Sequence, residues 1–138
     1  MGLADALHRL GLGKLKIVHR GIYRLKDDLI AFPDATEPTN RKKHDFRTVL
    51  VLSNERVCNS LTCPCVTVVP MSHNTDINAE TDIVVKSNSV NKLDSSSRLL
   101  FGYMQPVLKS DLEKQIGLMD DEQWERVMEQ VVWNFDGS

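Results

Sequence analysis

Polar residues lie at the ends of two apolar segments and carry groups that could act on a phosphate ester. His44, Asp45 and Arg47 enter one segment, and Ser72 and His73 follow the next one. An arginine just before a buried strand is held on a rigid element, where its guanidinium can bind a phosphate through two parallel hydrogen bonds. Arg47 is therefore the first candidate for a phosphate-binding residue.

Each of these residues also has an ordinary structural interpretation. Arg47 can form a salt bridge with Asp45 or another carboxylate, and a serine after Val-Pro-Met is commonly a turn former. The basic run Arg41, Lys42 and Lys43 can contact a nucleic-acid backbone or be a solvated loop. The residue types alone leave both interpretations open.

A metal site is the next possibility, because three cysteines are followed in the sequence by His73. Structural zinc sites usually start from cysteines on a tight knuckle, whereas Cys63 and Cys65 flank a proline in an extended segment, with only Cys58 nearby as a further thiol. We therefore expect no metal and no other cofactor, and we interpret the cysteines as small, partly buried residues. The sequence also lacks a phosphate-binding glycine loop, a nucleophile elbow and a zinc-protease helix.

Short strands joined by turn-rich segments must position these side chains. Apolar and β-branched patterns predict strands within residues 16–30, 47–53, 65–70, 83–85 and 98–107. Residues 31–43 carry two prolines and the basic run, which predicts a long mobile loop. Residues 54–64 are predicted to be a further loop. Such an arrangement is typical of a small antiparallel barrel or a strongly coiled sheet.

Helical patterns occur at both ends of the chain. Residues 1–15 begin with apolar residues at helical spacing and predict a short N-terminal helical extension. Ser110 and Glu113 fit a capping box, which predicts a short helix ending near Gly117. Asp120 with Gln123 repeats the capping signal. The residues that follow at i, i+3, i+4, i+7 and i+8 predict an amphipathic C-terminal helix packed on the sheet: Trp124, Val127, Met128, Val131 and Val132.

The composition is that of one globular domain. The chain has 138 residues, of which 41% are hydrophobic and 26% charged, and its formal net charge is -2. This charge argues against a histone-like, wholly basic nucleic-acid binder. No run approaches the roughly 18 apolar residues that span a bilayer, and no signal peptide is visible. We expect a cytoplasmic protein with no membrane partner.

The order of segments along the chain is more specific than any single residue. These segments are RGIY at residues 20–23, RTVLVLSN at 47–54, VVPMS at 68–72, QP at 105–106 and IGL at 116–118. Together with the long polar loop they resemble the MazF/PemK family, the toxins of type II toxin-antitoxin systems. The resemblance covers residues 18–133.

The resemblance implies a mainly β fold with added helices: an SH3-like small barrel of the MazF/CcdB type, with residues 1–138 as one toxin domain that forms a homodimer. Family toxins are metal-independent endoribonucleases that cut single-stranded RNA at short sequences, and are therefore called mRNA interferases. They use the ribose 2'-hydroxyl as nucleophile and leave a 2',3'-cyclic phosphate and a 5'-hydroxyl. The implied partners are single-stranded RNA and a cognate antitoxin protein.

Two functional positions of the family are retained in this chain. The family arginine at the start of its second main strand corresponds to Arg47, and the family threonine after the Val-Pro-x motif corresponds to Ser72. The resemblance implies that both are catalytic. Gln105 and the basic run, Arg41, Lys42 and Lys43, are then predicted to bind RNA.

One position departs from the family. Many members have an acidic residue immediately before the glutamine, and some have an arginine two residues earlier, whereas this chain has Met104 and Gly102. The change removes a plausible proton-transfer group. We expect His44 or His73 to take part in acid-base catalysis, because histidine exchanges protons near neutral pH. Otherwise the activity is weaker or lost.

Two other functions remain open. A CcdB-like gyrase-poisoning toxin has a similar fold and would bind its protein target through the C-terminal helix, near Trp133 and Phe135. A catalytically degenerate toxin-like binding module is the other alternative, and Met104 is its main support. RNA cleavage that survives EDTA, topoisomerase inhibition, or neither effect would separate the three.

Overall fold

The computed structural model describes Gly2 and residues 16–32, 45–76 and 79–137. Within these residues the chain forms seven strands and two α-helices. The strands are β1 (Gly21–Lys26), β2 (Phe46–Val51), β3 (Cys65–Ser72), β4 (Ile83–Val85), β5 (Ser97–Leu99), β6 (Gln105–Leu108) and β7 (Lys114–Leu118). The helices are α1 (Glu55–Asn59) and α2 (Asp121–Asp136). No helix in the described part of the chain is long and apolar enough to cross a membrane.

All strand pairs are antiparallel, and the strand order is β4-β5-β3-β2-β1-β7 with β6 also paired to β3. The central strand β3 pairs with β6 over its first half and with β5 at its last two residues. The predicted fold class is confirmed: the molecule is a mainly β half-barrel with a C-terminal helix. The last residues of β3 therefore lie between β2 and β5.

The sheet buries both of its faces. Alternate residues of β2 and β3 divide between two core clusters, because successive side chains of a strand point to opposite faces. Val49 and Val68 belong to the first cluster, whereas Leu50 and Val69 belong to the second. We call the side that carries the first cluster the first face. The helix α2 packs on the other side, the second face.

The strand predicted over residues 98–107 is in fact interrupted. Phe101–Tyr103 form a 3-10 turn between β5 and β6. The turn places the Phe101 side chain in the second cluster, where it is fully buried, and the amide of Phe101 donates to Oδ1 of Asp82. Burial of one large aromatic ring therefore outweighs the extended propensity of the segment.

The helix predicted from the capping box at Ser110 was wrong. Lys109–Asp111 form a single 3-10 turn, and the chain continues as β7, which pairs with the free edge of β1. An unpaired strand edge next to a strand-compatible segment favours sheet pairing over an isolated helical turn. Residues 54–64 were predicted as a loop but contain α1, whose first turn is capped by the side chain of Asn54.

The predicted C-terminal helix is confirmed. Asp120 caps α2 by accepting a hydrogen bond from the amide of Gln123, and Gly137 ends the helix in the left-handed conformation. The side chains packed on the second face are Trp124, Val127, Met128 and Val131. Val132, at the margin of the predicted stripe, is half exposed. The helix predicted within residues 1–15, and the greater part of the loop predicted over 31–43, lie outside the described residues.

We expect the three thiols to react at different rates. Cys58 is buried in α1 and its thiol donates to the carbonyl of Ser53, whereas Cys63 and Cys65 are partly exposed. Burial raises the pKa of the Cys58 thiol above its usual value, although nearby Lys109 acts in the opposite direction. Less thiolate forms at a given pH, so alkylation of Cys58 at pH 8 should be much slower than that of the other two.

Mass spectrometry after timed treatment with iodoacetamide measures the three rates separately. In urea the three rates should converge, because the burial is then lost. Equal rates in the folded protein would contradict the predicted protection of Cys58.

Candidate active site

Four polar side chains continue the apolar rows of the first face at one end of the sheet. Asp27 follows β1 two residues after buried Leu25, and Arg47 precedes Val49 on β2 by the same interval. Ser72 ends β3, and Arg98 lies in β5 with its neighbour in sequence facing the second cluster. Strand alternation therefore places Arg47, Ser72 and Arg98 on one face. Asp27, in the 3-10 turn after β1, joins them through its contact with Arg47. We call these four residues the polar row.

Arg47 is fixed by three groups. Its Nε donates to Oδ1 of Asp27 at 2.7 Å, its Nη1 donates to the carbonyl of Met71 at 3.0 Å, and its guanidinium lies 4.8 Å from the centre of the Phe32 ring. The side chain of Arg47 is 12% exposed and that of Asp27 is 1% exposed. A buried carboxylate needs such a partner, because an uncompensated buried charge is costly. The carboxylate that pairs with Arg47 is thus Asp27, twenty positions earlier.

Ser72 lies on the strand that pairs with the strand of Arg47. The last pair of the β2 and β3 ladder is Val49 with Pro70, and the same register continued by two residues would set Arg47 opposite Ser72. The contact from Arg47 to the carbonyl of Met71 fits this placement. Oγ of Ser72 also accepts a hydrogen bond from the amide of Asn74 at 3.2 Å, so the serine shapes the turn after β3 as well. Its hydroxyl hydrogen is not used in that bond.

Gln105 joins the site through the backbone of Ala31. Its Oε1 accepts from the Ala31 amide at 2.9 Å, and its Nε2 donates to the carbonyls of Ala31 and Tyr103 at 3.2 and 2.9 Å. The ring of Phe32 then packs against that of Tyr103, with centroids 4.9 Å apart. Gln105 therefore holds the aromatic ring that lies against Arg47. Its predicted contact with RNA stays a prediction.

His73 is turned toward the segment between β4 and β5. Its Nδ1 forms a hydrogen bond of 3.0 Å with Oγ of Ser95. His44 and the basic run, Arg41, Lys42 and Lys43, lie outside the described residues. The side chain of Met104 packs against the second cluster, so this position serves the core in the present chain. The assignment of proton transfer to His44 or His73 stays a prediction.

The sequence analysis missed Asp27, Phe32 and Arg98. Asp27 had a detectable signal, since Tyr23, Leu25 and Asp27 alternate along one side of the first strand region. A charged residue that continues a buried apolar row marks a buried ion pair at the strand end. Arg98 carried a similar signal in β5. Phe32 had no such signal, because its position depends on the contacts of Gln105 with the preceding residue, Ala31.

Within residues 16–32, 45–76 and 79–137, the charged and thiol side chains do not converge on a metal site. Among the residues that the structure describes, no group of three or more His, Cys, Asp or Glu is arranged to hold a metal ion. The three cysteines are unpaired with one another. The Asp27 carboxylate is bonded to Arg47.

Two solved toxin structures are similar to this chain. The Mycobacterium tuberculosis toxin MazF-mt6 is similar in structure, with a TM-score of 0.63 and 26% sequence identity over 85% of this chain and 97% of that chain. A second solved structure, of an Mtb toxin, has a TM-score of 0.53 and 29% identity over 62% of this chain and 88% of that chain. The curated proteins gave no match.

A family model also matches most of the sequence. It describes the PemK-like, MazF-like toxin of type II toxin-antitoxin systems and matches residues 29–135. These residues include β2 to β7, most of α2 and three members of the polar row. The chain belongs to the PemK-like, MazF-like toxins of type II toxin-antitoxin systems.

Proposed function

We propose that the protein is an endoribonuclease that cleaves single-stranded RNA at short sequences without a metal ion, and so acts as an mRNA interferase. The observation that carries the proposal is the fixed guanidinium of Arg47 beside Ser72, in a chain of this toxin family. A rigid cation next to a hydroxyl is the arrangement that stabilises a crowded, negatively charged phosphate.

The proposed reaction is an internal transfer at phosphorus. The ribose 2'-hydroxyl loses its proton and its oxygen bonds to the adjacent phosphorus, while the bond from phosphorus to the 5'-oxygen breaks. The leaving oxygen takes up a proton. The products are a 2',3'-cyclic phosphate and a 5'-hydroxyl, and no redox partner or metal is part of this balance.

Arg47 suits the charge that develops during this step. The contacts with Asp27 and Met71 use Nε and one hydrogen of Nη1, and a guanidinium has five N–H groups. Nη2 and the second hydrogen of Nη1 then donate to the non-bridging phosphate oxygens. Because the guanidinium is already fixed, the transition state gains these bonds without reorganisation of the arginine.

We propose the remaining roles from the chemistry of the side chains. Ser72 donates its hydroxyl hydrogen to the same phosphate, and His44 or His73 carries the proton transfers. Asp27 is buried and reaches the substrate only through Arg47, so it is a positioning residue. Gln105 keeps Phe32 against the guanidinium and contacts RNA at the rim of the site.

The partners follow from the family. Membership of a type II toxin family implies an antitoxin protein as partner. We further propose that the toxin is a homodimer in the cytoplasm. Light scattering that gave the monomer mass at micromolar concentration would contradict the dimer.

The decisive experiment is RNA cleavage by the purified protein in excess EDTA. We expect single-stranded RNA to be cut, double-stranded RNA to survive, and the products to carry 5'-hydroxyl ends. A polynucleotide kinase labels such ends directly, without prior phosphatase treatment, which provides the readout.

The alternatives give different outcomes. Inhibition of gyrase supercoiling without RNA cleavage would replace the proposal with a CcdB-like poison. Neither effect, in a protein that causes no growth arrest, would identify a degenerate binding module. Cleavage that requires added Mg²⁺ would contradict the mechanism.

A further inference from the structure

Arg98 occupies the mirror position of Arg47 on the other side of Ser72. The ladder of β3 and β5 pairs Met71 with Leu99 and Ser72 with Arg98. Met71 and Leu99 both point into the second cluster, so Ser72 and Arg98 point to the first face. Side chains of directly opposed residues on one face are neighbours, about 5 Å apart at Cβ. Ser72 thus lies on β3, between the strand that carries Arg47 and the strand that carries Arg98.

Arg98 lies next to a buried carboxylate, as Arg47 does. Nε of Arg98 lies 3.4 Å from Oδ2 of Asp82, and the two side chains are 11% and 9% exposed. Oδ1 of Asp82 in turn accepts from the amide of Phe101 at 3.2 Å and from the hydroxyl of Thr81 at 3.1 Å. These two hydrogen bonds fix the Asp82 carboxylate beside the Arg98 side chain.

The spacing of the two arginines matches an extended nucleic-acid strand better than a single phosphate. Arg47 and Arg98 lie on strands two apart, so their Cα atoms are separated by roughly 10 Å across the sheet. Two guanidiniums at this separation can each bind its own phosphate on one single strand. A fixed pair of cations of this kind sets the register of the strand over Ser72.

We propose that Arg98 is a second phosphate-binding residue, which contacts a phosphodiester next to the scissile one and so positions single-stranded RNA over Ser72. This inference rests on the proposed ribonuclease function. It assigns a role to a residue of β5 in the same reaction. Arg47 acts on the reacting phosphate, and Arg98 holds the strand.

The test compares RNA binding by matched variants. The probe is a single-stranded RNA that the wild type cuts, with a 2'-O-methyl group at the cleaved position so that it binds without reacting. The main variant is the double change Arg98→Gln with Asp82→Asn, which removes both members of the ion pair and leaves the net charge unchanged. The control is Arg56→Gln, because Arg56 is exposed on α1, at the opposite end of β3.

We expect the double variant to bind the probe about tenfold more weakly and to lose about 0.7 from the slope of log K against log salt, the share of one phosphate contact on a single strand. The control should keep the wild-type slope. An unchanged slope and affinity in a folded double variant would overturn the inference. Failure of the wild type to cut RNA would overturn the proposed function instead, and the inference with it.

A measurement on the wild type covers the case in which the double variant does not fold. The Nε–H resonance of Arg98 in a proton-nitrogen spectrum, assigned with Arg98→Lys, should shift when the 2'-O-methyl probe is added. The corresponding resonance of Arg56 should stay in place. No shift at Arg98 under saturation with the probe would also overturn the inference.

Discussion

Replacement of Arg47 with lysine should slow RNA cleavage by about three powers of ten or more, the usual contribution of an arginine that stabilises phosphoryl transition-state charge. Lysine keeps the positive charge beside Asp27, so the buried carboxylate retains a partner. However, a single ammonium cannot bond Asp27, the carbonyl of Met71 and a phosphate in the geometry of a planar fork. The loss should therefore appear in the rate of cleavage and not in the fold.

Arg47→Lys is a more informative variant than Arg47→Ala. Alanine would leave the carboxylate of Asp27 buried without its cation, and removal of one partner of a buried pair costs roughly 3–5 kcal/mol. Loss of activity in Arg47→Ala could then reflect unfolding. The double change Arg47→Gln with Asp27→Asn avoids the uncompensated charge and should be equally inactive.

Arg24→Lys is the matched control. Arg24 is also a strand arginine that lies over a phenylalanine ring, 4.5 Å from the centre of Phe46, but it is exposed on β1 and outside the polar row. Single-turnover cleavage rates and melting temperatures of both variants provide the comparison. If Arg47→Lys cut RNA at the wild-type rate and only melted earlier, Arg47 would be structural and the ribonuclease proposal would lose its main support.

The separation of the site residues in sequence explains which of them could be predicted. Arg47 and Ser72 could be selected as candidates because each lies at the end of an apolar strand segment, and the two segments pair as β2 and β3. The partner of Arg47 was not identifiable, because Asp45 is near in sequence whereas Asp27 is near in space. Ion pairs across strands depend on register, which a single sequence does not specify locally.

The helices and strands also divide into those that local signals predict and those that depend on distant contacts. The C-terminal helix was predictable because its cap and its apolar stripe are both local signals. The segment after Ser110 carried an equally local cap, yet it became β7 because β1 offered a free edge. The 3-10 turn at Phe101 depends on burial of its ring in the second cluster, which no local pattern describes. Local signals thus failed where a long-range pairing competed with them.

Gly117→Ala should destabilise the protein by about 3 kcal/mol or more, at the upper end of the cost of overpacking a core. Gly117 lies in β7 where the turn containing Asn91 crosses it. A Cβ at this position would lie 2.1 Å from the carbonyl oxygen of Asn91 and 2.9 Å from that of Val90. Both atoms belong to the backbone and cannot rotate away, so the crossing segment itself must move.

The segment that crosses β7 tolerates little movement, because the side chain of Asn91 holds it through four hydrogen bonds. Its buried amide donates to the carbonyl of Lys86 and to Oε1 of Gln123, and its Oδ1 accepts from the amides of Asn88 and Leu93. Displacement of Asn91 strains these four bonds together, and each buried group left unpaired costs about 1–3 kcal/mol. Since native proteins are stable by only about 5–15 kcal/mol, the variant should lose a large part of its stability.

Gly102→Ala provides the matched control, because a Cβ at Gly102 would meet no atom within 4 Å. We expect its melting temperature to stay within a few degrees of wild type, and that of Gly117→Ala to fall by about 10 °C or more. The segment held by Asn91 leads directly into β5, so a shift at Gly117 should also weaken RNA binding through Arg98. Equal melting temperatures for the two variants would show that the crossing can relax, and that Asn91 does not fix the approach to β5.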